Sequence, residues 1–259
     1  MVVNSVRKTL GDSAWRANEK GCPGGRDVGK EVIDTYYAKQ RGKDRFNAVA
    51  SYADFRELLE KEKDVDAVKV MTPDHLHATV AIAAMKKGKN VFMHKPVANR
   101  IHEARLVKET AARAKAGTML LAYGVGVQNG QIAGAVKQGV IGRLLEIHNW
   151  SNRPAWPQYS EIPSDRPPVP KGLDWDLWLG PSLERPFHPH YTHATFRGWY
   201  EFGGGSIADM GTYSLWPVFE ALGLGSPVSA EAAGTHINTL VDNVRSEERR
   251  VGKECRSRW

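Results

Sequence analysis

The sequence predicts an α/β protein: an incomplete Rossmann-like parallel sheet followed by an α+β domain with an open, mainly antiparallel sheet. Three observations predict it. From residue 46 to residue 124, apolar strand-like runs alternate with helix-patterned stretches in units of about thirty residues, the spacing of right-handed βαβ crossovers. Two consecutive strands in that stretch end on polar residues, "TPDHLH" at 72–77 and "HKP" at 94–96. Beyond Gly124 the alternation stops, and a proline-rich loop and a glycine-led helix take over. The expected domains are therefore 1–123, 124–244 and a separate tail, 245–259.

The elements follow in order. "GCPGGRDVGKEV" (21–32) is glycine-rich, but a dinucleotide turn needs a strand before it, and "SAWRANEK" is not one. The stretch reads as a loop leading into a helix over 27–39. "FNAVA" (46–50) reads as a strand, and "YADFRELLEKEK" places Phe55, Leu58 and Leu59 at helical spacing. "DAVKVMTP" is a strand ending at Pro73. A helix over 74–88 follows, with Asp74 as its N-cap and Gly88 as its stop. "NVFMHKP" is the next strand, "IHEARLVKETAARAKAG" a helix ending at Gly117, and "TMLLAYG" a further strand. A short helix over 128–138 leads into "GRLLEIHNWSNR", whose alternation predicts a long strand. The prolines of "RPAWPQYSEIPSDRPPVPKG" deny that loop regular structure. "DWDLWLGP" is a helical turn. "FGGGSIADMGTYSLWPVFEALGLG" becomes a helix stopping at 223–225, and "PVSAEAAGT" starts a strand.

Composition excludes several classes. Hydrophobic residues are 41% and charged residues 25%, an ordinary globular balance. No apolar run approaches the roughly eighteen residues of a membrane helix. "MVVNSVRKTL" has neither the apolar core nor the cleavage site of a signal peptide, so a cytoplasmic location is expected. The net charge of +7 suggests nucleic acid, but its placement argues against it. The last fifteen residues, "RSEERRVGKECRSRW", hold six Lys/Arg against three Glu, and the remaining surplus is spread along the chain. That tail has no periodicity and resembles a one-frame translation of a sequencing-adapter oligonucleotide. It is expected to be structureless and is set aside from fold reasoning. Without Cys255, Cys22 stands alone, and no intrachain disulfide forms.

The polar strand ends carry the chemistry. In a doubly wound sheet, ligands sit outside the carboxyl ends of the strands, and these two tips are neighbours there. Burying a lysine ammonium requires a partner or a task, so Lys95 is a candidate reacting group. "TPDHLH", "GKNVFMHKP" and "GGGSIADMGTY" together resemble the Gfo/Idh/MocA oxidoreductases, over about 27–244. The resemblance implies NAD or NADP as cofactor and a sugar or polyol as substrate. It places Lys95 beside the nicotinamide, with His94 in place of the usual glutamate. It puts Thr72, Pro73, Asp74 and His77 near the cofactor, where the family carries T-P-N-x-x-H. It also implies that Asp209 faces the substrate, with Tyr213 in place of the usual histidine. Asp209 and Tyr213, four residues apart, share a helix face. An ordinary lysine titrates near 10.4. Burial and a neighbouring cation, such as a protonated His94, lower that value towards one suited to proton transfer.

"RPFHPHYTHATFRGWY" holds His188, His190 and His193. No cysteine or carboxylate nearby completes a metal set, so no metal is expected. His190 and His193 read as substrate-pocket lining with Arg153, Trp156 and Arg197, while Trp175 and Trp178 read as packing. The family's opening strand, glycine turn and ribose-binding acid are not in place, so the chain reads as a fragment truncated at both ends. It is expected to bind NAD(P) weakly and to be inactive by itself. Expected partners are the small substrate and, at full length, further copies of the protein, with no nucleic acid or membrane. Two alternatives stand beside the dehydrogenase reading: redox-assisted glycoside cleavage, and a non-catalytic binding protein on the same fold.

Overall fold

The computed structural model describes residues 26–44, 46, 49–121, 127–150, 161–231 and 257–258. Arg153, Trp156, Cys22 and the glycines at 21–25 lie outside them. The chain forms two compact units, Met1–Val65 and Asp66–Trp259.

In the first unit, helix α1 (Arg26–Gln40) buries Ala38. The Tyr37 ring packs on Phe46 at 5.4 Å, and the Arg41 guanidinium lies over Phe46 at 4.6 Å. Helix α2 (Phe55–Lys61) is capped by Asp54, whose carboxylate accepts from the Arg56 N–H at 2.8 Å. The cap satisfies a backbone donor that the first turn would otherwise leave open. Leu59 is the buried residue of α2. The expected strand over 46–50 is absent at its described residues, 46, 49 and 50, which lack a ladder partner.

The second unit contains a three-stranded parallel sheet in the order β1 (Ala67–Val70), β2 (Asn90–His94), β3 (Thr118–Leu121). Val68 pairs with Val91, and Val91 with Thr118. Helix α3 (His77–Lys86) packs against β1, β2 and helix α4 (Ile101–Ala114). Apolar positions explain this arrangement. Ala78, Val80, Ala81, Ala84 and Met85 form the buried stripe of α3, opposite Val70, Val91 and Met93. Alternation sends Phe92 to the other face of β2, where it is part-exposed beside Met119.

Two helix ends differ from expectation. Asp74 does not cap α3, because a 3-10 turn (Asp74–Leu76) intervenes and the Asp74 carboxylate is engaged elsewhere. Helix α4 ends at Lys115, which takes the left-handed conformation at φ 52°. Gly117 serves close approach instead: a Cβ there would lie 2.9 Å from Asn90 Oδ1, which accepts the Gly117 N–H.

Beyond the sheet, helix α5 (Val127–Lys137) packs on α8 (Trp216–Leu222). The segment 142–150, expected as a strand, has no ladder and is exposed throughout. Alternation specifies a pattern of faces, whereas a strand also needs a neighbour to bond. Helix α6 (Trp175–Leu179) is capped by Asp174. Its tryptophans pack against Leu179, Tyr191, Phe196, Trp199 and Phe202, as the packing reading of Trp175 and Trp178 expected. The expected single glycine-led helix is two: α7 (Gly205–Ser214) and α8, which meet at Leu215 beside Pro217. A two-residue strand β4 (Ser229–Ala230) pairs antiparallel with β5 (Ser257–Arg258). That pairing places part of the tail in regular structure, contrary to the structureless expectation.

Among the described residues, no helix is long and apolar enough to cross a membrane.

Candidate functional site

The site lies wholly within the second unit, at the carboxyl edge of the sheet. The polar tip of β1 turns there through Thr72–His77, and the tip of β2 through His94–Arg100. His77 is 1% exposed and joins the two tips. Its Nε2 stands 2.8 Å from the Thr72 carbonyl oxygen and its Nδ1 2.6 Å from that of Pro96. The Lys95–Pro96 peptide is cis.

His75 has a different task. It is 2% exposed, donates from Nε2 to the Trp178 carbonyl at 2.8 Å, and packs its ring on Trp178 and Phe202. The turn is thus anchored on the sheet side by His77 and on the aromatic side by His75. Burial holds the His75 imidazole below its ordinary pKa.

Lys95 is 3% exposed, so its ammonium is held inside the protein rather than in solvent. Its Nζ donates to Asp209 Oδ1 at 2.7 Å and also to the Asp209 backbone carbonyl. The Tyr213 ring stands 5.0 Å from Nζ. Asp209 and Tyr213 therefore act from one face of α7, as their four-residue spacing requires. Burial pushes the Lys95 ammonium below the ordinary lysine value, while Asp209 opposes that shift and Arg197 adds to it. His94 is not the helping cation. Burial first, and then Lys95 itself, push its imidazole below the ordinary histidine value.

Arg197 closes the cluster. Its Nη1 donates to Asp74 Oδ1 at 3.2 Å, and its Nε stands 3.7 Å from the same Asp209 oxygen that Lys95 holds. Asp74 is 2% exposed, and burial raises its carboxyl above the usual range while Arg197 opposes the rise. Two cations and two carboxylates interlock, which is how buried charges are tolerated. Gly203 permits this arrangement, since a Cβ there would lie 2.6 Å from Arg197 Cα.

The other predicted residues fall differently. His190 packs its ring on His188 at 4.2 Å, and its carbonyl accepts from Trp199 Nε1. His188 sits 3.2 Å from Asp165. His193 is exposed, with φ 52°. Among the described residues, no group of three His, Cys, Asp or Glu side chains is placed to hold a metal ion.

Sequence reasoning missed Asn99, Arg100 and the task of Gly203. Asn99 Nδ2 donates to the Glu201 carbonyl at 2.9 Å, and Arg100 Nη2 to that of Tyr200 at 2.8 Å. These bonds fix the turn after Pro96 against the segment that carries Arg197. The one sequence signal was the glycine run itself.

The edge fits a nicotinamide nucleotide in one respect that can be read directly. Thr72 Oγ1 is buried at the β1 tip without a hydrogen-bond partner. It is beside the part-exposed Met71, on the edge where doubly wound sheets hold such ligands.

Comparison with known proteins identifies two family domains in the chain. Residues 28–121 match the model of the GFO_IDH_MocA oxidoreductase family, NAD-binding Rossmann fold. Residues 125–246 match that of the same family's C-terminal alpha/beta domain. A glycosyl hydrolase family 109 protein of Shewanella sp. (strain W3-18-1) is 31% identical over 123 residues, 46% of this chain and 27% of that protein. One from Shewanella baltica (strain OS155 / ATCC BAA-1091) is 35% identical over 92 residues, 35% of this chain and 20% of that protein. The matched segments thus span about a quarter of these curated relatives. An NAD binding oxidoreductase from Klebsiella pneumoniae is 26% identical, covering 54% of this chain and 36% of that one, with a TM-score of 0.33.

Proposed function

Since the chain belongs to the Gfo/Idh/MocA oxidoreductase family, with its NAD-binding Rossmann domain, we propose that the protein transfers a hydride between a nicotinamide cofactor and a carbon bearing a hydroxyl of a sugar or polyol. The observation that carries this reading is the buried Lys95–Asp209 pair at the carboxyl edge of the parallel sheet.

Oxidation of an alcohol removes a hydride from carbon and a proton from oxygen. When bound, the nicotinamide supplies the hydride acceptor; Thr72, His94 and Lys95 are the residues that would adjoin it, on the turns set by Pro73, Asp74 and His77. The proton falls to the protein. Lys95 accepts it in its neutral form, which its lowered pKa makes more available near neutrality. Asp209 holds Nζ in place and stabilises the ammonium that results. Tyr213 offers its ring face to that ammonium, a cation–π contact that also keeps water from it. His190 and His193 are proposed as substrate-contacting residues, and Arg153 and Trp156, outside the described residues, as further candidates for that role.

The name of the curated relatives favours a second reading on the same site. In glycoside cleavage by transient oxidation, a sugar hydroxyl would be oxidised, the carbon beside the new carbonyl would lose a proton, the aglycone would leave as its alcohol, water would add in its place, and the hydride would return. Net reduced cofactor separates the two. Purified full-length protein carrying this chain is incubated with NAD+ or NADP+ and a panel of sugars and polyols, and reduced cofactor is followed by its absorbance. In parallel, aryl glycosides are assayed for released phenol. Accumulating reduced cofactor supports the dehydrogenase. Phenol release without accumulation supports cleavage. Neither product from cofactor-saturated protein overturns both enzyme readings and leaves a binding protein.

A further inference from the structure

Asp74 occupies the position where the family pattern carries an uncharged asparagine, and the structure gives its charge a use. Its carboxylate is all but sealed from solvent and faces the Arg197 guanidinium, with Nη1 at 3.2 Å from Oδ1 and 3.5 Å from Oδ2. That guanidinium is in turn directed at Asp209 through Nε, at 3.7 Å from Oδ1. The same oxygen accepts from Lys95 at 2.7 Å. One carboxylate oxygen thus serves two cations, and the nearer holds it while the farther is drawn off by Asp74.

We propose that Asp74 and Arg197 form a positioning clasp for the reaction: Asp74 restrains the guanidinium, and the restrained guanidinium determines how fully Lys95 holds the Asp209 carboxylate. The inference rests on the catalytic reading of Lys95 for its meaning, though not for its test. Arg197 is then a positioning residue acting through Asp209, rather than pocket lining.

The clasp has a signed consequence. The groups around Lys95 are His94 beside it in the chain, Asp74 and His77 on the 74–77 turn, Arg197 on the 193–198 turn, and Asp209 and Tyr213 on α7. Removing the Arg197 charge takes away a cation that competes for Asp209, so the ammonium is stabilised. Removing the Asp74 charge takes away one anion and frees Arg197 to close its 3.7 Å gap to Asp209. Both effects destabilise the ammonium. The two halves of one ion pair therefore move Lys95 in opposite directions, Arg197 against its ammonium and Asp74 for it. Opposed signs follow from the two charges alone; what the clasp adds is the closing of the 3.7 Å gap by a released Arg197, so the Asp74→Asn shift should be larger with Arg197 present than in the Arg197→Gln background.

The test is a direct titration in the intact 259-residue chain. Lysine labelled with 13C at Cε is incorporated, and the Lys95 resonance is identified by its loss in Lys95→Gln. Its midpoint is followed by NMR through the ordinary lysine value of about 10.4. Arg197→Gln is expected to raise the midpoint and Asp74→Asn to lower it. Each shift should be about one pH unit, the low end of what one neighbouring charge produces. Arg197→Lys, which keeps the cation, is expected to hold the midpoint near wild type. Shifts of the same sign, or no shift in either charge-removing variant, overturn the clasp. Should Arg197→Gln fail to fold, Asp74→Asn decides alone, because it keeps the shape of the native side chain; a lowered midpoint supports the clasp and an unchanged or raised one overturns it. Hydride transfer is assayed apart from this. Opposed shifts alongside a full-length protein that oxidises no sugar leave the clasp standing and remove the proposed function, and absent shifts alongside an active full-length dehydrogenase do the reverse.

Discussion

Replacing Gly203 by alanine tests how the backbone holds Arg197 in place. The added Cβ would lie 2.6 Å from Arg197 Cα, 3.0 Å from its carbonyl oxygen and 3.1 Å from its carbonyl carbon. These are backbone atoms, and no rotamer change clears them. The 193–198 turn must therefore move outward, with Phe196 and Trp199 of the aromatic cluster attached to it. Overpacking of this kind costs about 1–3 kcal/mol. For a chain of this size each kcal/mol is worth about 2–4 °C, so the melting temperature should fall by roughly 2–12 °C. Gly225→Ala is the control, because a Cβ there meets nothing within 4 Å. Its change should stay within about 0.5 kcal/mol. The assay is thermal unfolding followed by tryptophan fluorescence, with Trp199 and Trp178 as reporters beside the turn. If Gly203→Ala melts together with Gly225→Ala and wild type, the turn yields without strain, and the close approach does not fix Arg197.

Further expectations follow from single groups. In a full-length protein carrying this chain, Lys95→Ala should lower kcat/KM on an oxidised sugar by about 10²–10⁴-fold, and Lys95→Arg should restore little, since guanidinium does not release its proton near neutrality; wild-type turnover in Lys95→Ala would remove the lysine from the chemistry. Burial keeps His75 neutral in the folded chain. The unfolded chain, titrating near about 6.5, therefore takes up the proton first as pH falls. This contribution to stability is present above about pH 6.5 and is lost as pH falls through the lower folded value, by at most about 1.4 kcal/mol per pH unit. Melting curves from pH 8 to pH 5 should show a slope that His75→Gln reduces, and an unchanged slope would assign the loss to other groups. Trp199→Ala, at a residue 2% exposed, should cost about 3–5 kcal/mol in denaturant titration, and a small effect would mean that the aromatic cluster can collapse around the gap. Among the described residues, deleting 245–259 removes a two-residue ladder on the exposed Ser229–Ala230 strand, so the melting temperature should not move; a clear fall would show that the tail packs.

The sequence by itself determined the elements whose signal is local. The alternation of apolar runs with helical stripes placed α3, α4 and the three parallel strands within a few residues, because periodicity reports which face is buried. The polar ends of β1 and β2 marked the edge where Lys95, Asp74 and His77 gather, and the spacing of Asp209 and Tyr213 put both on one helix face. Tertiary structure decided the pairings across the chain. Asp74 reads locally as a helix cap, but a buried carboxylate gains more from a guanidinium 123 residues away than from its own backbone. His75 and His77 look alike on one turn, yet one enters the aromatic cluster and the other bridges two strand tips, since only packing decides which carbonyls each ring meets. Residues 142–150 alternate like a strand yet form no ladder among the described residues, because a ladder's hydrogen-bond partners come from other segments. The burial of Lys95 was likewise outside any local pattern: its environment is built by a helix more than a hundred residues later, and charge is tolerated there only because Asp209, Arg197 and Asp74 arrive together.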